Sequence, residues 1–95
     1  MIVIRNKNGE IVSRSANLRG LRRHLTSHPA QSVQIAQYNG GSAYMIVEFQ
    51  NGDYCRSDWA SYRVLCQSLA NWRNLRGTPL FIKSGNVGPD NVALL

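Results

Sequence analysis

The sequence predicts a two-layer α+β sandwich: a mostly antiparallel sheet with two helices on one face, in the order β-β-α-β-β-β-α-β. Three observations carry that expectation. Asn8-Gly9 and Asn51-Gly52 each stand between apolar, β-branched runs, the strongest short-range signal for a hairpin. Two other segments change from a two-residue to a three-and-four-residue apolar period, and each has a single apolar stripe. Strands joined by tight turns must run antiparallel, and helices with one stripe each can share one face of the sheet.

The elements follow in chain order. Ile2-Val3-Ile4-Arg5 runs outward, Asn8-Gly9 turns, and Glu10-Ile11-Val12-Ser13 returns, a hairpin over residues 2–14. Ser15 is the expected N-cap of a helix that continues to Ser27 and is ended by Pro29. Its buried stripe is Leu18, Leu21 and Leu25. Gly20, in its interior, costs about 1 kcal/mol against alanine. Residues 32–38 read as a strand with Val33 and Ile35 inward, and Asn39-Gly40-Gly41-Ser42 turns into the next one.

Residues 44–75 hold most of the folding signals. Tyr44-Met45-Ile46-Val47-Glu48-Phe49 is a strand whose Met45, Val47 and Phe49 share the core face. Asn51-Gly52 is expected at the centre of a type I′ turn, which needs φ > 0 at both positions. Tyr54-Cys55-Arg56-Ser57 returns antiparallel. Ser57 or Asp58 then caps a second helix, with Tyr62, Leu65, Cys66, Leu69 and Trp72 as its buried stripe. Gly77 and Pro79 stop that helix a little after Leu75, and Leu80-Phe81-Ile82-Lys83 is the last strand. Residues 1–83 are therefore expected as one compact domain and residues 84–95 as a polar surface tail.

Length and composition narrow the function classes. A chain of 95 residues makes one domain, burying about 60–65% of its unfolded surface. A hydrophobic content of 43% excludes a disordered chain. No apolar run approaches the ~18 residues of a membrane span. Met-Ile-Val-Ile-Arg lacks the basic leader and the small-residue cleavage site of a signal peptide, so a cytoplasmic setting with no membrane partner is expected. In that setting Cys55 and Cys66 are expected as small hydrophobes rather than a disulfide.

Catalysis finds no support. Glu10, Glu48, Asp53, Asp58 and Asp90 are scattered, and neither a Gly-x-Ser-x-Gly elbow nor a Gly-rich phosphate loop with its lysine is present. His24 and His28, four positions apart, could meet Cys55 and Cys66, but two cysteines eleven apart and downstream of the histidines do not have zinc-finger spacing. No catalytic residue, metal or cofactor is expected.

The charge is more informative. Eleven basic residues against five acidic ones give a formal +6, and nine of the eleven are arginine. Small basic chains are drawn to polyanions, and arginine's planar fork suits phosphate better than a point charge does. Arg19, Arg22 and Arg23 occupy adjoining positions on one face of the first helix and are the leading phosphate-contact candidates. Arg14, Arg56 and Arg63 are lesser ones. Tyr38, Tyr44, Tyr54 and Trp59 could offer stacking surfaces beside Arg56, as in single-strand binders. The central order, helix, three strands, helix, is similar to that of double-stranded RNA-binding domains. The stretch matching their lysine cluster, Asp58-Trp59-Ala60-Ser61, carries no lysine, so family membership is not inferred.

Two readings follow. The first is a small non-enzymatic protein that binds DNA or RNA through a basic helix face, with a regulatory role compatible. The second is an adaptor or inhibitor of the phage or plasmid accessory type, docking on an acidic-surfaced host protein. There Tyr54, Trp59 and the arginines would be the anchors, since such residues dominate binding hot spots. Homodimerisation through an unpaired edge strand, of the first hairpin or of residues 80–83, is compatible with both.

Overall fold

The computed structural model describes residues 2–38, 40–84 and 90–93. The elements are β1 (Ile2–Arg5), β2 (Ile11–Ser15), α1 (Leu18–Ser27), β3 (Ala30–Gln37), β4 (Ala43–Phe49), β5 (Tyr54–Trp59), α2 (Tyr62–Ala70), a 3₁₀ turn (Arg73–Leu75), β6 (Pro79–Ser84) and β7 (Asp90–Ala93). Six strands form a mixed sheet in the order β2-β1-β5-β4-β3-β6, with short β7 on the outer edge of β6. Every neighbouring pair is antiparallel except β3 and β6.

Alternation along the strands decides what is buried. In β4, Ala43, Met45, Val47 and Phe49 are at most 1% exposed, whereas Tyr44, Ile46 and Glu48 are half-buried. The register sets Val33, Val47, Cys55 and Ile4 side by side across four strands, all on the buried face. Leu21 and Leu25 of α1 and Leu65 and Leu69 of α2 complete the same cluster, so both helices lie on one face of the sheet. α1 packs on β1 and β2, and α2 packs on β4 and β5. The architecture is the expected two-layer α+β sandwich.

Several details differ from the sequence expectation. Three hairpin loops share one geometry, and it is not the type I′ turn. Gly52 N–H donates to the Phe49 carbonyl and Phe49 N–H to that of Asp53, a three-residue loop closed by Gly52 at φ +95°. Gly9 and Gly41 take the same place in theirs. The glycine therefore follows a type I turn in the left-handed position instead of sitting at the turn's centre. α1 is capped by Asn17, whose Oδ1 accepts from Arg19 N–H at 3.0 Å, not by Ser15. α2 is capped by Ser61, not by Ser57 or Asp58, because β5 stays paired to β4 as far as Trp59. α2 also stops at Ala70, and the chain turns before the 3₁₀ segment. Trp72 is nevertheless buried, at 2% exposure, outside the helix on whose stripe it was placed. The segment expected as a surface tail, 84–95, contains β7; residues 85–89 and 94–95 lie outside the described residues. Residues 80–83 are not an edge, since β6 is paired on both sides. β2 is an edge, but a bulge interrupts its pairing at Val12, a feature that blunts edge-to-edge association.

Gly20 has a packing reason. A Cβ at this position would overlap the Cβ and Oγ of Ser15, where β2 leads into α1. An interior helical glycine normally gains about 1 kcal/mol on replacement by alanine. Gly20→Ala is expected instead to lower the melting temperature, because overpacking costs about 1–3 kcal/mol. The double variant Gly20→Ala/Ser15→Gly should melt above the sum of the two single changes. A Gly20→Ala protein that melts higher than the parent would show that α1 and β2 are not in this contact.

Candidate nucleic-acid interface

The helix layer is cationic throughout. Residues 16–29 and 60–78 hold Arg19, Arg22, Arg23, Arg63, Arg73 and Arg76, six of the nine arginines, and none of the five acids. All six are exposed. Neither α1 nor α2 has an acidic residue in its first turn. Among the described residues, the ion pairs are His24–Asp53 and Arg56–Asp58, and neither involves a helix-layer arginine. Clustered like charges repel and destabilise a compact state. No acidic side chain offsets that repulsion within the helix layer.

Local structure brings part of this charge together. The Asn74 side chain, on the 3₁₀ turn, donates to the Arg22 carbonyl at 3.2 Å, a link across 52 positions. The Arg22 guanidinium lies 4.9 Å from the centroid of the Trp72 ring, a cation–π contact that orients it. Arg22, Asn71, Trp72, Arg73 and Asn74 line a cleft of about 270 Å³. Arg19 and Arg22 flank a second cleft of about 450 Å³, which runs past the α1 N-cap towards Ile2. Arg23 faces the other way, into a cleft between α1 and β2 that Arg14 also lines. The three α1 arginines therefore fan across the helix instead of aiming at one point. Arg63 lies in the first turn of α2.

Arg56 belongs to a different surface. It lies opposite Ile46 and Val3 on the sheet face that carries no helix, and Arg14 extends the same row on β2. The Arg56 guanidinium stacks over Tyr44 at 4.2 Å, and Tyr38 packs on Tyr44 at 5.7 Å between centroids. Arg56 also bonds Asp58 at 3.2 Å, and Gln34 donates to Glu48 on the same face. This open face carries both signs of charge. Tyr54 is half-buried there, opposite Glu48 and Arg5. Trp59 is half-buried too: it packs against the core and its Nε1–H donates to Ser57 Oγ at 2.9 Å.

Arg73 and Arg76 escaped the sequence reading. A helix continued to Leu75 would set Arg73 on the apolar stripe, four positions after Leu69 and seven after Cys66, so the helical pattern does not present it as a surface cation. The break after Ala70 and the Asn74 tether to Arg22 bring it beside α1, and no local pattern encodes that link.

The histidines do lie together, without the cysteines. The rings of His24 and His28 stack at 4.2 Å and 11°. Lone pairs of parallel stacked rings lie in separate planes and do not converge on one ion. Cys55 is buried in the sheet, where burial pushes its thiol up to about 11, and both cysteines are free. Among the described residues no three side chains of ligand type gather around a common point. No described helix is long and apolar enough to cross a membrane.

No family model, curated protein or solved structure matches this chain.

The histidine pair makes stability depend on pH. Burial lowers the pKa of His24, the neighbouring His28 lowers it further, and Asp53, 3.9 Å away, partly offsets both. A base whose folded pKa is depressed binds its proton more readily in the unfolded chain. The stabilisation is complete above the ordinary value of 6.5 and is lost as pH falls below it towards the folded value. Denaturant midpoints measured above and below 6.5 should fall on acidification, and His24→Asn should flatten that dependence. An unchanged slope in the variant would assign the effect elsewhere.

Proposed function

We propose that the protein is a small, non-enzymatic nucleic-acid-binding module that takes the phosphate backbone of DNA or RNA against its helix layer. The observation that carries this reading is the segregation of charge: six exposed arginines and no acid on the helical side. Backbone contacts are electrostatic and independent of sequence. Arginine supplies bidentate donors for phosphate. Arg19, Arg22 and Arg23 are the principal contacts in this reading, joined by Arg73 and Arg76, with Arg63 on the second helix. Arg56 sits outside that surface, and Arg14, on the edge strand, lines the cleft beside Arg23. No side chain of the helix layer is committed to reading base edges, so binding of low sequence preference is expected. A cytoplasmic setting fits this reading.

Fluorescence anisotropy against single- and double-stranded DNA and RNA, repeated across salt, is the direct test. A log–log slope of about −3 or steeper is expected, which corresponds to several neutralised phosphates. Replacing Arg19, Arg22 and Arg23 together by alanine should weaken binding and flatten the slope by about 2–3. Equal affinity in the triple variant would remove α1 from the interface, and the absence of binding by the parent at ~100 mM salt would remove the reading itself.

One observation favours a second reading, docking on a protein partner of accessory type. The open sheet face joins Tyr38, Tyr44 and Arg56 in mutual contact and carries both signs of charge, a chemistry closer to protein interfaces than to a phosphate track. A partner that survives nuclease treatment, and that is lost in Tyr38→Ser/Arg56→Ala but kept in the α1 triple variant, would favour this surface.

A further inference from the structure

We infer that the cleft between α1 and the 3₁₀ turn is a discrete phosphate pocket, with Arg22 and Arg73 as its two cationic walls. The inference rests on the nucleic-acid reading and adds to it a point of contact. Its ligand group is a phosphate, whether an internal phosphodiester of a strand, a terminal phosphomonoester or the free inorganic ion.

Four features converge there. Both walls are guanidinium groups on exposed residues, and none of the lining residues is acidic. The walls are braced: Asn74 ties the 3₁₀ turn to the Arg22 carbonyl, and Asn71 bonds back to the Gln67 carbonyl at 3.3 Å. Stacking of Arg22 on the Trp72 ring limits its rotamers before any ligand arrives, so less order must be imposed on binding. Finally, Trp72 is 2% exposed and its Nε1–H, buried with no acceptor, belongs to a residue that lines the cleft. Buried indole donors normally find a partner. An oxyanion entering beside Arg22 supplies one. Two guanidinium forks and a lone N–H donor match the several acceptor oxygens of a phosphate.

The test follows the pocket's own nuclei. The Trp72 Nε1–H and the Arg22 and Arg73 Nε–H resonances are monitored by ¹⁵N–¹H correlation spectra during titration. The probes are inorganic phosphate, a short oligonucleotide with or without a 5′-phosphate, and polyglutamate, all at fixed ionic strength. Saturable movement of all three resonances with phosphate and with the oligonucleotides is expected. A preference for the 5′-phosphorylated strand would assign the terminal group, and equal response to both strands the internal backbone. Arg22→Lys and Arg73→Gln should each weaken oligonucleotide binding about tenfold. Lys7→Ala, which removes one charge from the first hairpin loop, should change it less than twofold. Arg22→Lys keeps the charge, so a loss there reports the fork and its stacking, and melting curves of both variants identify any failure to fold.

Oligonucleotide binding with an unmoved indole, and variants no weaker than Lys7→Ala, would overturn the pocket and leave the broader reading standing. Response to inorganic phosphate without oligonucleotide binding would keep the pocket and overturn that reading. Stronger response to polyglutamate than to either phosphate probe would overturn the pocket in favour of an acidic protein partner.

Discussion

One-sided burial of β4 is the constraint on which the rest depends. Its inward residues, Ala43, Met45, Val47 and Phe49, are sealed, and its outward residues are not. Because the side-chain period of a strand is two, this fixes the register of β3 and β5 on either side: a one-residue slip would turn the whole apolar set to solvent. It also determines where the helices go. Their apolar stripes can be buried only against that face, so α1 and α2 must both lie there, and everything on their outer sides is surface. The separation of the molecule into a helical side and a bare sheet side is thus a packing consequence, present before any functional residue is considered.

The two sides then carry different chemistry. The helical side concentrates arginine and excludes acid, which costs stability through repulsion and through cations placed near helix N-termini, such as Arg19 in α1 and Arg63 in α2. Folded domains tend to break such local rules where a site is being built. The sheet side carries both signs of charge: Arg56 pairs with Asp58, the Gln34 amide donates to Glu48, and aromatic rings are set among them. The contrast is why the helical side is assigned the polyanion.

Much of this could be read from the residues, and the limits have physical causes. The hairpins were legible because Asn-Gly between β-branched runs is a local signal, although the turn type was not: the same dipeptide serves a type I turn followed by a left-handed glycine, and only the hydrogen bonds of Phe49 and Gly52 tell the two apart. The caps were misplaced by a few residues because Ser15, Asn17, Ser57, Asp58 and Ser61 are all competent, and strand pairing as far as Trp59 decides among the last three. The arginines of α1 were legible as neighbours on one helix, but it was not legible that Arg23 lines the β2 side while Arg19 and Arg22 line other clefts. Nor was their relation to Arg73, since it is made by one tertiary hydrogen bond between Asn74 and Arg22. The half-burial of Trp59, whose Nε1–H turns back to Ser57, was likewise not legible, because it depends on packing against the core.

The sheet's connectivity has a bearing on how the chain is assembled. β1–β2, β3–β4 and β4–β5 are neighbours in sequence and can form early, since their loops are short. Two seams are not local: β1 joins β5, and β3 joins β6 in parallel. During synthesis, α1 follows directly to pack on the first hairpin, but the outer edge of β1 must wait for its partner until residue 55 has emerged. The parallel seam closes only when β6 has been made. Until then the β3–β4–β5 meander presents β3 as an open strand edge, the kind of unpaired edge that makes an incompletely folded chain prone to association.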